Sequence, residues 1–425
     1  MKLSIKKYID SSATVLQFTN LLRQITLIGT SILLAQSSLS LLEVGWFETY
    51  LFIGTSISFF WLSAWGQKIL TLKNDTEQKI VLQQIYSLSI ITSLFSGFIW
   101  LITNVLYHSD FFNLHCFFIL YWCINTPTIL LDNIFYTQQK ISTLINFSVA
   151  TSLLNLLIIF IGANVLGSLQ TIIIGYIFLA IFRSIWANSF WKNWHFDTHL
   201  IREIIITTLP LMAYSLLGNI AQISDGILIK YFYNDAAQFA IFRYGARELP
   251  LINAFTIGLS NAIVYTISQN NQLGINELKE KSSQLMDWLF PISILLLLTS
   301  NQIFTWLFSA KFEQSVPIFN IYLLLIVSRV LFPQSVMLAL QKNKVILQIG
   351  IIELTFNILL SILLIHKFGL QGIATATVIA FLIEKFLLSI YLQRRLQIPI
   401  SKYTPVKKWL CWSILLFLIF IIKTL

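Results

Sequence analysis

The chain has 425 residues, of which 56% are hydrophobic and 11% are charged, and its formal net charge is +10. So few charged residues cannot cover a water-exposed surface of ordinary composition, which excludes a soluble globular protein. In a soluble protein a charge of +10 would favour nucleic-acid binding. Here the basic residues fall between long apolar runs, and we expect no nucleic-acid partner.

The sequence predicts twelve membrane-spanning helices, because a helix needs about 20 mainly apolar residues to cross the hydrocarbon. In chain order the predicted spans are residues 15–39, 47–70, 80–106, 111–136, 143–165, 169–190, 204–232, 239–268, 285–308, 316–340, 345–365 and 370–393. A shorter run, 409–422, is either a thirteenth span or a helix lying against the others.

Lysine and arginine residues are concentrated in alternate gaps between these runs. Three lysines precede the first run, and most of the others lie in the gaps after every second run. The remaining gaps hold only Lys230, Lys311 and Lys367. Short loops rich in Lys and Arg stay in the cytoplasm. We therefore expect a multi-pass protein with a cytoplasmic N-terminus.

The chain divides into two halves of six predicted spans each. The predicted domains are a bundle at 1–190, a polar connector at 191–203, a second bundle at 204–393, and a basic segment with a short apolar helix at 394–425. When the first half is aligned with the second without gaps, Leu21 and Leu22 overlie Leu216 and Leu217. This match favours two halves related by a parallel repeat. The predicted fold is an all-α integral membrane protein with two six-helix bundles around a central cavity.

Four stretches resemble the polysaccharide-flippase branch of the multidrug/oligosaccharidyl-lipid/polysaccharide exporter superfamily. They are residues 33–36 with 42–50, residues 209–211 with 223–232, residues 306–312 with Pro317, and residues 368–377. Gln36 replaces the usual Arg of the first stretch, and Ser309 replaces the usual Gly of the third.

The resemblance implies a flippase for an oligosaccharide linked to a polyprenyl diphosphate, in the bacterial plasma membrane. Such a flippase serves surface polysaccharide biosynthesis of the O-antigen kind, with a polysaccharide polymerase and glycosyltransferases as partners. No cofactor is expected, because the sequence has no Gly-x-x-x-x-Gly-Lys-Ser/Thr loop for a nucleotide. An H⁺ or Na⁺ gradient is the candidate energy source.

Ionisable groups at membrane depth are the candidate functional residues, since each costs about 2.5–3.5 kcal/mol to insert. Arg329 lies near the middle of span 316–340. It is either a cavity cation for diphosphate or acidic sugar, or the internal partner of Glu353 or of a helix carbonyl. Glu353 is in turn a candidate coupling carboxylate.

A second set surrounds the start of the second half. Arg243 and Arg247 share a helix face at spacing i, i+4, and Glu248 points away from it. Asp225 is predicted at a similar depth, so an Asp225–Arg243 ion pair competes with a cavity role for Arg243.

Arg23 lies about two turns inside the first span and is either a cavity cation or a snorkelling side chain. The deep set is therefore mostly basic, which suits an anionic lipid diphosphate. Four other charged residues lie near predicted cytoplasmic boundaries, where anchoring is the preferred interpretation: Asp132, Arg183, Glu384 and Lys385.

Two alternatives belong beside the flippase. A cation-coupled multidrug exporter of the same superfamily would predict more deep carboxylates than cations. A membrane polysaccharide polymerase would predict a loop-borne His/Asp site. The five histidines form no such cluster, and Cys116, Cys123 and Cys411 lie apart within apolar runs.

Overall fold

A computed structural model of the chain describes residues 12–70, 72, 76–106, 112–187, 197–246, 256, 259–260, 263–264, 266–268 and 270–424. In this part the chain forms seventeen α-helices and no strand. Many large apolar side chains are exposed on the helices, for example Leu153 at 63% and Phe178 at 67%. Such a surface fits lipid, where backbone groups must be satisfied within helices.

The first eight helices cover the first half of the chain. They are α1 (Ser12–Gln36), α2 (Leu41–Leu70), α3 (Thr76–Leu106), α4 (Phe112–Thr128), α5 (Leu131–Thr137), α6 (Ile141–Ile159), α7 (Leu169–Trp186) and α8 (Thr198–Tyr233). A π-helical turn, Phe160–Val165, extends α6.

The remaining nine helices include several short ones. They are α9 (Ala236–Gly245), α10 (Asn271–Phe308), α11 (Val316–Leu323), α12 (Ile326–Arg329), α13 (Pro333–Ala339), α14 (Asn343–Phe368), α15 (Leu370–Leu396), α16 (Ile400–Tyr403) and α17 (Val406–Thr424). A 3₁₀ turn, Ala310–Ser315, precedes α11.

Nine helical stretches of the described part are long and apolar enough to cross a membrane. They are Phe18–Gln36, Gln78–Ile102, Leu114–Thr137, Ile141–Val165, Leu169–Trp186, Asn271–Phe308, Ala310–Arg329, Asn343–Phe368 and Leu370–Leu396. The second and seventh predicted spans form the continuous helices α2, of 30 residues, and α8, of 36 residues. Nearly half of the eighth predicted span lies outside the described residues, so the count of twelve stays a prediction.

Two predicted spans are interrupted, and a proline lies beside a break in each of them. In the fourth span, Pro127 ends α4 and a turn with i→i−3 bonds at Ile129 and Leu130 leads into α5. In the tenth span, Pro333 opens α13, and the chain before it breaks into α11 and α12. Proline lacks the N–H of an intrahelical bond, and Phe332, the residue before Pro333, is outside the helical region.

The described helices belong to two compact units, Met1–Ile223 and Ser224–Leu425. The boundary falls within α8, whereas the connector predicted at 191–203 lies partly outside the described residues. The core of the first unit is rich in aromatic side chains, including Trp65, Phe135 and Phe147. The core of the second unit gathers side chains of α10, α13, α14 and α15 with Tyr403.

Local signals in the sequence explain several helix ends. Ser40 and Glu43 form a capping box at the start of α2, with Glu43 accepting from the Ser40 N–H at 2.9 Å. Gly369, between α14 and α15, has a φ of 58° that favours glycine. A Cβ on Gly372 would lie 2.4 Å from the Leu364 carbonyl oxygen, so this glycine permits the close approach of α14 and α15.

Candidate functional site: two clusters of charge

Three charged side chains meet inside the first unit, and we call them the N-terminal cluster: Arg23 on α1, Asp132 on α5 and Arg183 on α7. Arg23 donates from Nη2 to Oδ2 of Asp132 and forms an ion pair with it. The Arg23 side chain is 51% exposed, whereas that of Asp132 is 11% exposed. Arg23 is thus a half-exposed cation tied to a buried carboxylate.

Arg183 is the third member and is held by uncharged groups. Its Nη1 donates to Oδ1 of Asn125 at 3.0 Å, and its guanidinium carbon lies 5.4 Å from the centre of the Phe147 ring. Asn125 and Asp132 lie on opposite sides of the break after Pro127. The interruption of the fourth span therefore brings an amide and a carboxylate to the same arginine.

Asp225, near the end of α8, lies in the second unit and is held by hydroxyl groups. Its Oδ2 accepts hydrogen bonds from Tyr322 at 3.2 Å and from Thr377 at 2.9 Å. The Asp225–Arg243 ion pair considered from the sequence is not among these contacts, because α11 and α15 supply hydroxyl donors to the carboxylate instead.

Asp225 is one of four charged side chains within electrostatic range of Glu353, and together the five form the C-terminal cluster: Asp225, Arg329, Glu353, Glu384 and Lys385. Lys385 pairs with Glu384 at 2.8 Å and donates to Oε1 of Gln334 at 3.1 Å. Glu353 is buried, and its charged neighbours within electrostatic range are the other four members. No Glu353–Arg329 ion pair at contact distance is present in the described part, although Glu353 lies within that range of Arg329.

Arg329 ends α12, the short helix beside the break before Pro333. Its guanidinium carbon lies 4.8 Å from the centre of the Phe381 ring, within cation–π distance. The broken helix, which the sequence analysis did not predict, thus carries the arginine that the sequence singled out most strongly.

The spacing of polar residues could have located the C-terminal cluster. Glu353, Asn357 and Ser361 recur every four residues and form a buried stripe on α14. Thr377, Phe381 and Lys385 repeat the same spacing on α15 and share one of its faces. A polar stripe on an otherwise apolar helix is the signal of an interior site in a membrane protein.

The structure corrects the predicted anchoring roles. Asp132, Glu384 and Lys385 are 8–9% exposed, so they are buried within protein and do not reach water at the membrane boundary. Arg243 is exposed in the last turn of α9. Arg247 and Glu248 lie outside the described residues, so their roles stay predictions.

The two clusters add Asp132, Arg183, Glu384 and Lys385 to the deep set that was predicted from the sequence. The N-terminal cluster holds two cations and one carboxylate, whereas the C-terminal cluster holds two cations and three carboxylates. Glu48, which the sequence analysis did not single out, is also buried in α2. Cations are in excess in the N-terminal cluster and carboxylates are in excess in the C-terminal cluster.

The residues of the described part offer no group of three His, Cys, Asp or Glu side chains placed to hold a metal ion. What the clusters can do is bind and exchange small charged groups in a low-dielectric interior, where ion pairs are strong and an uncompensated charge is costly. Interior charges of this kind in a multi-pass helical protein mark substrate or ion pathways, proton relays or other functional sites.

Several solved structures share this fold. The chain is 16% identical to a structure of "Lipid II flippase MurJ, inward closed conformation", with a TM-score of 0.69 and coverage of 97% of this chain and 95% of that one. The chain is 14% identical to an inward-facing MATE family multidrug transporter of the MOP superfamily, with a TM-score of 0.64 and coverage of 88% of this chain and 94% of that one. The chain is 18% identical to the Vibrio cholerae MATE transporter VcmN in its bent form, with a TM-score of 0.55 and coverage of 94% of this chain and 99% of that one.

The family follows from the sequence itself. The model of the family "Lipid II flippase MurJ" matches residues 139–425, and the chain belongs to this family. It is a MOP superfamily transporter and not an enzyme. No curated protein matches the sequence.

Proposed function

We propose that the protein flips a polyprenyl-diphosphate-linked saccharide from the cytoplasmic to the outer leaflet of the bacterial plasma membrane. The observation that carries this proposal is the family match over residues 139–425, because the family's description names a lipid-linked cargo, lipid II. The N-terminus is cytoplasmic in this proposal, as the distribution of Lys and Arg indicates. Twelve or thirteen membrane-spanning helices in two bundles would move the cargo by alternating access.

The diphosphate is the part of this cargo that the protein's cations can recognise. Arginine binds phosphate oxygens in a bidentate manner and stays charged at any physiological pH. Arg23 supports the proposal because half of its side chain is exposed. Arg329, Arg243 and Arg247 are the other cations that we assign to the cargo.

The C-terminal cluster is the proposed coupling site. Its three carboxylates outnumber its two cations, so one added cation or proton balances its charge. Asp225 and Glu353 are the carboxylates that we assign to H⁺ or Na⁺, and Glu248 is a further candidate from the sequence. Asp225→Asn and Glu353→Gln variants should therefore lose the dependence of flipping on an imposed ion gradient.

The proposal has two versions, which differ in the saccharide that the lipid carries. Lipid II is the cargo that the family description names. The sequence resemblance favours an oligosaccharide repeat unit for surface polysaccharide of the O-antigen kind, with a polymerase and glycosyltransferases as neighbours. Both cargoes share the lipid-linked anionic group that the cations would hold.

Flipping of fluorescent lipid II and of a fluorescent polyprenyl-diphosphate oligosaccharide in proteoliposomes tests the proposal. We expect protein-dependent translocation of at least one cargo, reduced about tenfold or more in Arg329→Ala and unchanged in Lys402→Ala, an exposed lysine. Translocation that Arg329→Ala leaves intact would keep the function and remove Arg329 from the path.

Translocation of neither cargo would reject the flippase. Export of a cationic dye under the same ion gradients would then favour the multidrug exporter, for which the fold similarity to MATE transporters is the supporting observation.

A further inference from the structure

The N-terminal cluster contains one carboxylate and two arginines, and the carboxylate forms an ion pair with only one of them. Asp132 pairs with Arg23 through Oδ2, while its Oδ1 is buried and makes no hydrogen bond. Arg183 lies within electrostatic range of Asp132 but bonds Asn125, and its Nε is buried without a hydrogen-bond partner. Each of the two buried groups thus has an unused polar atom, and their charges are opposite.

This arrangement affects how easily Arg23 can leave its partner. Departure of Arg23 would leave the Asp132 carboxylate charged, buried and uncompensated, which is unfavourable in a low-dielectric interior. Arg183 is the second cation near Asp132, so its presence reduces that cost. Tyr86 and Tyr121 are the other titratable groups close to Arg183, and neither is a cation.

We propose that Asp132 exchanges its ion-pair partner from Arg23 to Arg183, which releases Arg23 to bind the diphosphate of the lipid carrier. The inference rests on the proposed function, and it assigns Arg23 as the binding cation and Arg183 as a positioning residue. A diphosphate competes with the Asp132 carboxylate for the same guanidinium face. The exchange lets Arg23 bind cargo without leaving a bare carboxylate in the interior.

The proposal also explains why Arg183 is held by neutral groups. Asn125 and Phe147 fix the guanidinium in place without neutralising its charge. A carboxylate partner in their position would cancel the attraction for Asp132. Arg183 is therefore ready to accept a carboxylate that the cargo has displaced.

A double-mutant cycle on ligand affinity tests the exchange. Native mass spectrometry of the purified full chain in a zwitterionic detergent would measure binding of undecaprenyl diphosphate, with undecaprenyl phosphate and inorganic pyrophosphate as separate arms. We expect Asp132→Asn to raise affinity for undecaprenyl diphosphate, since Arg23 loses its competitor. Arg183→Gln should lower the affinity roughly tenfold, about 1.4 kcal/mol, because Asp132 then stays on Arg23.

The decisive arm is the double variant. Arg183→Gln should have no effect on affinity when Asp132 is already Asn, and Arg183→Lys should keep most of the wild-type affinity because it keeps the charge. Arg202→Gln, which removes an exposed cation of the same unit, is the matched control and should bind as wild type does. An equal loss from Arg183→Gln in both backgrounds would mean a purely structural role and would overturn the exchange.

The remaining outcomes separate the inference from the proposed function. Wild-type protein that binds undecaprenyl diphosphate while Arg183→Gln binds equally well overturns the exchange alone. Wild-type protein that binds none of the lipids overturns the proposed function and the exchange with it. Pyrophosphate binding as tight as that of the diphosphate lipid would replace the lipid carrier with a small anion as the ligand.

Discussion

Lys385 lies inside the second unit with 10% of its side chain exposed, between Glu384 and Gln334. Lys385→Met would keep much of the volume and leave Glu384 without its ion pair. We expect the free energy of unfolding to fall by about 3 kcal/mol, as for other buried pairs that lose one member. Equilibrium unfolding in mixed detergent micelles would measure it.

The control for Lys385 is Lys402→Met, which changes an exposed lysine and should alter stability by about 0.5 kcal/mol or less. Adding Glu384→Gln to Lys385→Met should recover part of the loss, since the uncompensated carboxylate is gone. Additive losses from the two substitutions would show that the pair does not stabilise the cluster.

Thr377 provides a second prediction for a single residue. Thr377→Val removes a hydroxyl that donates to Asp225 at 2.9 Å and keeps the side-chain shape. Hydrogen bonds between membrane helices contribute about 1 kcal/mol, so unfolding should become easier by that amount. Thr375→Val is the matched control in the same helix, because its hydroxyl bonds only the Gln371 carbonyl. If both variants lose the same free energy of unfolding, the Thr377–Asp225 hydrogen bond does not stabilise the protein.

At the scale of helices, the break between α12 and α13 depends on the C-terminal helix α17. The N–H of Leu331 bonds the Ser328 carbonyl at 3.1 Å, so the Val327 carbonyl has no intrahelical donor. The indole N–H of Trp409, on α17, donates to that carbonyl at 2.9 Å. A side chain of α17 thus satisfies a backbone group two residues before Arg329.

Trp409→Phe should therefore destabilise the protein by about 1 kcal/mol, because a buried carbonyl loses its donor. Trp412→Phe on the same helix is the comparison: Trp412 stacks on Phe290 with ring centres 6.0 Å apart, and phenylalanine keeps that contact. Thermal unfolding followed by circular dichroism would rank the two variants, and a larger loss for Trp412→Phe would contradict the role assigned to the indole N–H.

The helices themselves show what sequence reasoning can and cannot reach. Long apolar runs predicted α1, α3, α14 and α15 because length and hydropathy alone determine a crossing. The Arg23–Asp132 pair joins residues 109 positions apart. Neither that pair nor the burial of Lys385 follows from local pattern, since both depend on which helix faces meet and on how the breaks at Pro127 and Pro333 redirect the chain.

At the scale of the whole molecule, the N-terminal and C-terminal clusters carry opposite charge balances. The first has an excess of cations, and the second has an excess of carboxylates. In the proposed function the cationic coupling ion would act on the carboxylates of the C-terminal cluster, and Arg23 and Arg329 remain cations assigned to the anionic cargo. The multidrug-exporter alternative predicts more deep carboxylates than cations, a balance that holds in the C-terminal cluster but not in the N-terminal one.

The orientation of α17 in the membrane is the last prediction, and it decides whether residues 406–424 form a thirteenth crossing. Lys408 bonds Asp287 at 2.6 Å, and Lys423 bonds the Leu297 carbonyl oxygen farther along α10. The two helices therefore run in the same direction, and fifteen residues at about 1.5 Å each give a rise of about 22 Å between the two lysines. Because α10 begins beside the predicted cytoplasmic lysines Lys279 and Lys281, α17 should end outside.

Cysteine labelling checks this orientation. In a background with the three native cysteines replaced, a membrane-impermeant maleimide should label Thr424→Cys in intact cells. Lys402→Cys, on the predicted cytoplasmic side, should react only after permeabilisation. If Thr424→Cys also needs permeabilisation, α17 does not cross, and its lysines contact α10 from a helix that turns back to the cytoplasm.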